Sequence, residues 1–283
     1  MAGFTSLDDM ISEMTVNAKT NWIDFQKTSS NGATSVAGRW HEMLTWTGVP
    51  SALSFSGSAG AGTQLTASTT GAFPQYEGNV STDLRFLLNL MAYTPSSTVT
   101  PASLLICDML LYYPALVVTG TPTTMSGSGL SRYTDGKGVR AFCAVQSAIG
   151  VASPALTFTY AADDSSSQTA VMTAAANSQP ISACFPNNGG VFFPVPAGKL
   201  GVKSLTSYTI ASGTSGTVAV VLCKPLIQIP LCAQYQSSER ECLNQFPSLP
   251  QIQDGACLGG LVMVGGAMTT LQTVLGRLQY CWG

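Results

Sequence analysis

The stretch 217-TVAVVLC-223 is an unbroken apolar run after its first threonine, and three of its seven residues are valines. Valine favours the pleated backbone of a strand because its branched side chain packs well there. A strand with one solvated face alternates apolar and polar residues, whereas a strand covered on both faces does not. The run therefore predicts a buried β-strand with other parts of the protein packed on both of its faces.

Further strand-like segments precede this run. Residues 155–162, ALTFTYAA, alternate apolar and polar side chains, as in a strand with one buried face. The other segments lie at 103–113, 139–148, 170–175, 191–197 and 204–211. Loops rich in Gly, Ser and Thr separate them. This pattern predicts a mainly β protein with a β-sandwich or jelly-roll-like domain, an N-terminal helix and two short inserted helices.

The N-terminal helix is predicted over about the first 28 residues. Ser6 and Asp9 form a capping box that would start it. Apolar residues then recur at helical spacing at Leu7, Met10, Ile11, Met14, Ala18, Trp22 and Phe25. We expect residues 1–30 to form a helical arm and residues 31–283 to form the β-sandwich domain. A neighbouring subunit and the chain's own domain are equally suitable partners for this apolar stripe. The candidate subunit contacts of the stripe are Leu7, Met10, Ile11, Met14, Trp22 and Phe25.

Two shorter helices are predicted from capping residues. Ser81 would cap the segment 82–93, TDLRFLLNLMAY, which ends before Pro95. Ser238 with Glu241 forms a capping box for the segment 239–246, ERECLNQF.

The chain is poor in charge. Only 9% of its 283 residues are charged, whereas about 25% is usual in soluble proteins. Such a composition suits a protein that covers much of its surface with partners. The net charge of −2 argues against nucleic-acid binding through a broad basic face. Asp8, Asp9 and Glu13 occupy positions where a secretory signal would be basic or apolar, so we expect folding in the cytoplasm that made the protein.

One segment is long enough to cross a membrane. Residues 255–276 carry no charge, but they include Gln272, three threonines and two glycine pairs, Gly259-Gly260 and Gly265-Gly266. A glycine pair is unfavourable inside a helix and is common in a turn. We therefore predict two strands around a glycine turn and no membrane partner.

The basic stretch 130-LSRYTDGKGVRAFCAV-145 is a candidate phosphate loop. A P-loop requires Ser or Thr after its lysine, but Gly138 follows Lys137. Asp135-Gly136 is typical of the tip of a hairpin. We therefore predict a hairpin whose cations, Arg132, Lys137 and Arg140, pair with acidic groups of a neighbouring subunit.

Residues for catalysis and metal binding are few. His41 is the single histidine, and it lies between Trp40 and Trp46 without a nucleophile motif nearby. The pair Asp163-Asp164 lacks the spaced ligands of an EF-hand. We predict no catalytic, cofactor or metal site, and no enzymatic activity.

The eight cysteines contain no CxxC pair, which disfavours a zinc site. They are interpreted either as buried thiols acting as small apolar side chains or as disulfides that form outside a reducing cell. The second interpretation makes four of them candidates for cross-links: Cys232, Cys242, Cys257 and Cys281. Cys281 is the strongest candidate for a link to another chain, because it lies two residues from the end of the sequence.

Seven blocks from about residue 36 onward are specific as a set. They are 37-AGRWHEMLTWTGVPSA-52, 78-GNVSTDLRFLLNLM-91, 104-LLICDMLLYYPAL-116, 130-LSRYTDGKGVRAF-142, 191-VFFPVPAGKLGVKSL-205, 220-VVLCKPL-226 and 246-FPSLPQIQDGACLGGLV-262. In this order they resemble a family of structural proteins encoded near the head genes of tailed bacteriophages. None of the blocks is a catalytic motif, and the high cysteine content belongs to this sequence rather than to the family.

The resemblance implies a virion protein that binds and stabilises the capsid exterior, as a decoration, cement or capsomer-linking protein. The implied partners are the major capsid protein and other copies of the chain, with a trimer favoured. Disulfides could lock such a particle once lysis releases it from the reducing host cytoplasm.

Two alternatives stay open. The chain could be a jelly-roll capsid subunit itself. It could also be a head-fibre or host-glycan-binding module, in which Trp40, Trp46, Tyr112 and Tyr113 would pack on sugar rings.

Overall fold

A computed structural model of the chain describes most of the sequence. The described residues are 3–29, 38–95, 101–118, 123–127, 129–149, 155–173, 181–185, 190–210, 215–246, 248–266 and 272–283. They form two helices, α1 (Leu7–Thr15) and α2 (Cys242–Gln245), and 17 strands. The predicted mainly β, sandwich-like fold class is confirmed.

The strands follow one another along the chain in short and long pieces. In order they are β1 Thr20–Thr28, β2 Trp40–Glu42, β3 Thr47–Val49, β4 Ala61–Gln64, β5 Arg85–Tyr93, β6 Pro101–Val117, β7 Thr123–Thr124, β8 Ser126–Gly127, β9 Arg140–Ser147, β10 Ala155–Ala162, β11 Ser167–Thr173, β12 Val202–Ile210, β13 Thr217–Pro230, β14 Ser238–Glu241, β15 Gln251–Ile252, β16 Cys257–Val264 and β17 Thr273–Trp282.

These strands form three sheets. A central seven-stranded sheet has the order β2-β16-β6-β13-β9, with β4 paired to β6 and β8 paired to β4. A six-stranded sheet has the order β14-β5-β17-β1-β3, with β15 paired to β5. A four-stranded sheet has the order β11-β10-β12-β7. Pairing is antiparallel among the described strands, except between β4 and β8.

Two long strands join the parts of the molecule. β6 has 17 residues and β13 has 14, where about 5–6 is usual. They pair with each other along most of their length. Because of this length, one part of the central sheet packs against the six-stranded sheet and another part packs against the four-stranded sheet.

The apolar core has three main parts, and the central sheet separates the third from the first two. The first joins Val220 to Phe158 of the four-stranded sheet. The second joins Ile106 to Ile23 of the six-stranded sheet. The third holds Val221 and the loops on the other face of the central sheet. Since Val220 and Val221 belong to different cores, the prediction that 217-TVAVVLC-223 is covered on both faces is confirmed.

The prediction of a helix over the first 28 residues is wrong beyond α1. Thr20–Thr28 form β1, which pairs with β17 on one side and β3 on the other. The residues of β1 alternate, with Ile23 and Phe25 buried and Trp22 exposed. Threonine, tryptophan, isoleucine and phenylalanine favour strands, and here the alternation outweighs the helical spacing of a few apolar residues. The domain division at residue 30 stays a prediction.

The helix predicted after Ser81 is also wrong. Residues 85–93 form β5, and Ser81 has a φ of 62°, which is not the extended backbone of a helix cap. Leucine and methionine favour helices only weakly, and pairing with β17 and β14 on both sides overrides that preference. The helix predicted from Ser238 shrinks to the four residues of α2, after the strand β14.

Candidate interaction surface

Helix α1 starts where the sequence predicts it. The Ser6 hydroxyl accepts a hydrogen bond from the backbone N–H of Asp9 at 3.1 Å. The Asp9 carboxylate in turn accepts from the backbone N–H of Thr5 at 2.9 Å, which lowers the pKa of Asp9. The helix ends after Thr15, and Ala18 then takes a φ of 53° before β1 begins. The chain therefore changes direction within a few residues and continues as β1 of the six-stranded sheet.

The two sides of α1 differ in their surroundings. Met10 is buried in a small apolar cluster with Leu88 of β5 and Cys281 of β17. Leu7 and Ile11, one turn apart, are 59% and 47% exposed. The helix is thus attached to the six-stranded sheet by one side and presents apolar residues on another.

A groove runs between α1 and the edge strand β14, and we call it the α1–β14 groove. Its volume is about 630 Å³. Apolar side chains from α1, β5 and α2 line it, and Leu243 of α2 is 40% exposed. The polar part of the lining is provided by Asn89, Gln245, Gln279, Glu239 and Glu241. The groove is an exposed apolar concavity with carboxylates at its edge, a combination that is common in protein-binding surfaces.

The predicted contact residues of the N-terminal apolar stripe do not all lie on one surface. Leu7, Met10, Ile11 and Met14 all line the α1–β14 groove. Trp22 lies on β1 instead, 43% exposed, with the Arg277 guanidinium 5.4 Å from its ring centroid.

The assignment of Phe25 to a subunit contact is wrong. Its ring is buried and stacks on Phe73 with the centroids 4.3 Å apart.

The assignment of Arg132 to a subunit contact is also wrong. Arg132 is buried, and its guanidinium donates to both carboxylate oxygens of Asp108 at 2.9 and 2.8 Å. The same guanidinium donates to the backbone oxygens of Leu65 and Met109. Burial raises the pKa of Asp108, and the hydrogen bonds from Arg132 oppose that rise. This cation holds the central sheet and a loop together and is not available to another subunit.

The turn predicted at Asp135-Gly136 is present, but the strand before it is not. Asp135 accepts from the backbone N–H of Lys137 at 3.1 Å, and Gly136 has a φ of 75°. An added Cβ at Gly136 would come within 2.9 Å of Lys203 Cα, so only glycine fits. Residues 130–133 are irregular, whereas the predicted strand after the turn is β9. Lys137 is exposed, as a contact residue should be, and Arg140 is half-buried.

His41 lies in the interior with two other titratable residues, Glu42 and Lys27. Burial lowers the pKa of His41 to about 3, and the neighbouring Arg39 adds to this effect. Burial raises the pKa of Glu42 to about 7, although Thr45 donates hydrogen bonds to its carboxylate. Lys27 is fully buried, and its ammonium donates to the backbone oxygens of Trp46 and Ser51 at 3.1 and 3.4 Å. These groups tie strands and loops together inside the protein.

The structure agrees with the interpretation of most cysteines as buried thiols that act as small apolar side chains. All eight are free, and seven are buried. The prediction that Cys242, Cys257 and Cys281 are cross-link sites is wrong, because each lies inside the packed protein, where burial raises its pKa and removes the reactive thiolate. Cys232 is exposed, so its role in cross-linking stays a prediction.

The aromatic residues proposed for sugar binding are mostly core residues. Trp46, Tyr112 and Tyr113 are buried, and Trp40 is only half-exposed. Trp46 donates its indole N–H to Ser182 at 3.1 Å. The glycan hypothesis based on these side chains is therefore wrong.

Sequence reasoning missed several residues of the surface. Glu239, Glu241 and Leu243 were assigned to a helix, and their proximity to α1 depends on the folding of β14 beside β5. Leu200, 55% exposed between Lys199 and Lys203, was also missed. An apolar residue with a lysine before it and another three positions after it was a signal that could have identified it.

The segment 255–276 forms β16 and β17, as the two-strand prediction requires, but Gly259 and Gly260 lie within β16 rather than in a turn. No helix in the described ranges is long and apolar enough to cross a membrane. The same residues contain no cluster of His, Cys, Asp and Glu that could hold a metal ion.

Comparison with known proteins gives a limited result. No protein-family model and no curated protein matches the sequence. Among solved structures, the chain is similar to the infectious bursal disease virus VP2 subviral particle, with 8% identity, coverage of 96% of this chain and 86% of the other, and a TM-score of 0.19. A structure of the Gt strain of the same virus gives 8% identity, the same coverage and a TM-score of 0.18. Overlaps this low carry no argument about function.

Proposed function

We propose that the protein is a structural component of a virus particle, which binds and stabilises the exterior of a bacteriophage capsid as a decoration or cement protein. The observation that carries the proposal is the α1–β14 groove. Leu7, Ile11 and Leu243 are large apolar residues that remain 40–59% exposed around one concavity. Covering them with a partner would be favourable by about 25 cal/mol per Å² of apolar surface removed from water.

Two further features support the proposal. The central sheet is continuous through β6 and β13, which gives a stiff body between its two ends. The sequence blocks described above resemble those of tailed-bacteriophage head proteins. The proposal assigns the protein a binding role and no catalysis, and its partners are the major capsid protein and further copies of the chain.

A cryo-EM map of purified particles of the encoding bacteriophage tests the proposal. The expected result is density for this β-rich chain on the outer surface of the capsid, at a position of local three-fold symmetry. Absence of the chain from purified particles would refute the proposal. The second candidate, a jelly-roll subunit of the shell, is favoured by the sandwich-like sheets, and the same map would show it as continuous shell density.

A matched pair of variants tests the groove itself. Leu7→Ser with Ile11→Ser should reduce the amount of protein bound per particle, because both side chains line the groove. Val171→Ser is the control, since Val171 is 50% exposed on the four-stranded sheet, away from the groove. Equal binding by both variants would show that the groove contributes to attachment neither directly nor through association of copies.

A further inference from the structure

The α1–β14 groove is acidic. Glu239 and Glu241 line it, and no lysine or arginine is among its lining residues. Asp8 and Asp9 lie on α1, which forms one wall. Within the described residues, none of these four carboxylates makes an ion pair; Asn89 donates to Glu239 and Asn244 donates to Glu241. Self-association of two grooves about a two-fold axis would bring these carboxylates together, which is unfavourable.

A cationic surface lies elsewhere on the same chain, where the turn at residues 133–140 meets residues 199–203. The backbone N–H of Gly138 donates to Leu200 at 3.0 Å, and the Lys224 ammonium donates to the Lys137 backbone oxygen at 3.1 Å. Four of the 12 cations of the chain are buried. Five of the other eight belong to this region: Lys137, Arg140, Lys199, Lys203 and Lys224.

Carboxylates partly balance these cations. Asp135 lies 3.7 Å from the Lys137 ammonium, Asp164 pairs with Lys199, and Asp163 accepts from the Leu200 backbone N–H. Five cations and three carboxylates leave an excess of two positive charges. Leu200 is exposed among them, and we call Lys199, Leu200 and Lys203 the Leu200 knob. Gly201 and Val202, which separate Leu200 from Lys203, are buried.

The groove and the knob have complementary chemistry. The groove combines an apolar lining with two carboxylates and has no cation among its lining residues. The knob combines one exposed leucine with two flanking lysines, of which Lys199 pairs with Asp164. We propose that the α1–β14 groove of one copy receives the Leu200 knob of a second copy. Because the two surfaces differ, the contact is head-to-tail, which allows closure into a ring. This inference rests on the proposed function, and a trimer is the ring size which that function favours.

A charge-swap experiment on the full-length protein tests the inference. The probe is the purified protein itself, and the readout is sedimentation velocity over a concentration series. The groove variant carries Glu239→Lys and Glu241→Lys, and the knob variant carries Lys199→Glu and Lys203→Glu. Each variant alone should have its self-association constant weakened by about tenfold or more, because like charges then face each other. An equimolar mixture should regain part of the association, since contacts between the two variants join opposite charges, whereas an odd-membered ring retains one like-charged contact.

Two more variants guard against loss of folding and general charge effects. Leu200→Ser keeps every charge and should still weaken association. Asp24→Lys changes an exposed carboxylate on β1, outside the groove, and should associate as the wild type does. Circular dichroism melting of each variant confirms that it is folded.

Either of two results would overturn the inference. A wild-type protein that stays monomeric at every concentration would refute it, and so would a mixture that associates no better than its components. If the wild-type protein is monomeric in solution but is present on purified particles, the inference fails while the proposed function stands.

Discussion

The interior of the protein and the α1–β14 groove reverse the usual distribution of charged and apolar side chains. In the interior, charged residues are buried: Asp108 with Arg132, and Lys27 near Glu42. In the groove, Leu7, Ile11 and Leu243 are exposed to water. Most proteins place few charged residues inside and few clustered apolar residues outside.

The difference shows how a chain with few charged residues distributes its charged and apolar side chains. Inside, each charged group accepts or donates several hydrogen bonds, which joins strands and loops in one arrangement. Outside, apolar side chains are left uncovered, which costs solubility and gives a partner something to bury. The chain has only 26 Lys, Arg, Asp and Glu residues together, so charges used inside are missing from the surface.

The largest expected effect is the loss of the interior charge pair. Asp108→Asn leaves the buried Arg132 guanidinium without its carboxylate, which should destabilise the protein by about 3–5 kcal/mol. Urea unfolding followed by tryptophan fluorescence measures this free energy. Asp135→Asn is the control, because Asp135 is exposed and its pair with Lys137 is worth at most about 1 kcal/mol. Equal effects of the two substitutions would contradict a structural role for the buried pair.

The next effect depends on pH through Glu42. Its pKa is about 7 in the folded protein and 4.5 in the unfolded chain, so between these values the folded state binds more protons. Stability from this group is therefore present below pH 4.5 and is lost as the pH rises to 7, by roughly 3 kcal/mol. The pKa of Lys27 falls only to about 8, so its charge does not change in this window.

Comparison of the wild type with Glu42→Gln isolates this contribution. The variant should lack the loss of stability between pH 4.5 and 7, when urea midpoints are measured at several pH values. The exposed residue Glu239 provides a control, since Glu239→Gln should keep the wild-type pH dependence. A wild-type slope in Glu42→Gln would show that Glu42 titrates normally.

The smallest effect is expected on the groove side of the comparison. Ile11→Ser should change the free energy of unfolding of the monomer by no more than about 0.5 kcal/mol, because Ile11 is exposed. Met10→Ser, one position away, should cost about 2–5 kcal/mol because Met10 is buried against Leu88. Thermal or urea unfolding at low protein concentration separates folding from association. A large effect of Ile11→Ser would mean that the groove belongs to the core.

Some of the fold was predictable from sequence because local patterns carried it. The valine-rich run at 217–223 and the alternation at 155–162 identified β13 and β10 directly. The capping pair Ser6 and Asp9 identified the start of α1. In each case the preferred backbone and the burial pattern agree.

The rest depended on contacts between distant parts of the chain. Residues 85–93 have helix-favouring leucines, and only pairing with β14 and β17, more than 140 residues away, makes them a strand. The residues of the α1–β14 groove were harder to predict than the strands. Sequence identified Leu7 and Ile11, but Glu239 and Glu241 join them only because β14 pairs with β5. Asp108 and Arg132 are 24 positions apart, and no periodicity indicated that they meet.

The position of β17 has a consequence for synthesis. It is the last of the described strands to leave the ribosome, yet it lies in the middle of its sheet, between β5 and β1. Thr20 pairs with Cys281 across nearly the whole chain. Until β17 has been synthesised, β1 and β5 each have an unpaired edge, and such edges are prone to aggregate. A nascent chain of this protein is therefore vulnerable to aggregation until β17 emerges, and chaperones would act on it before that point.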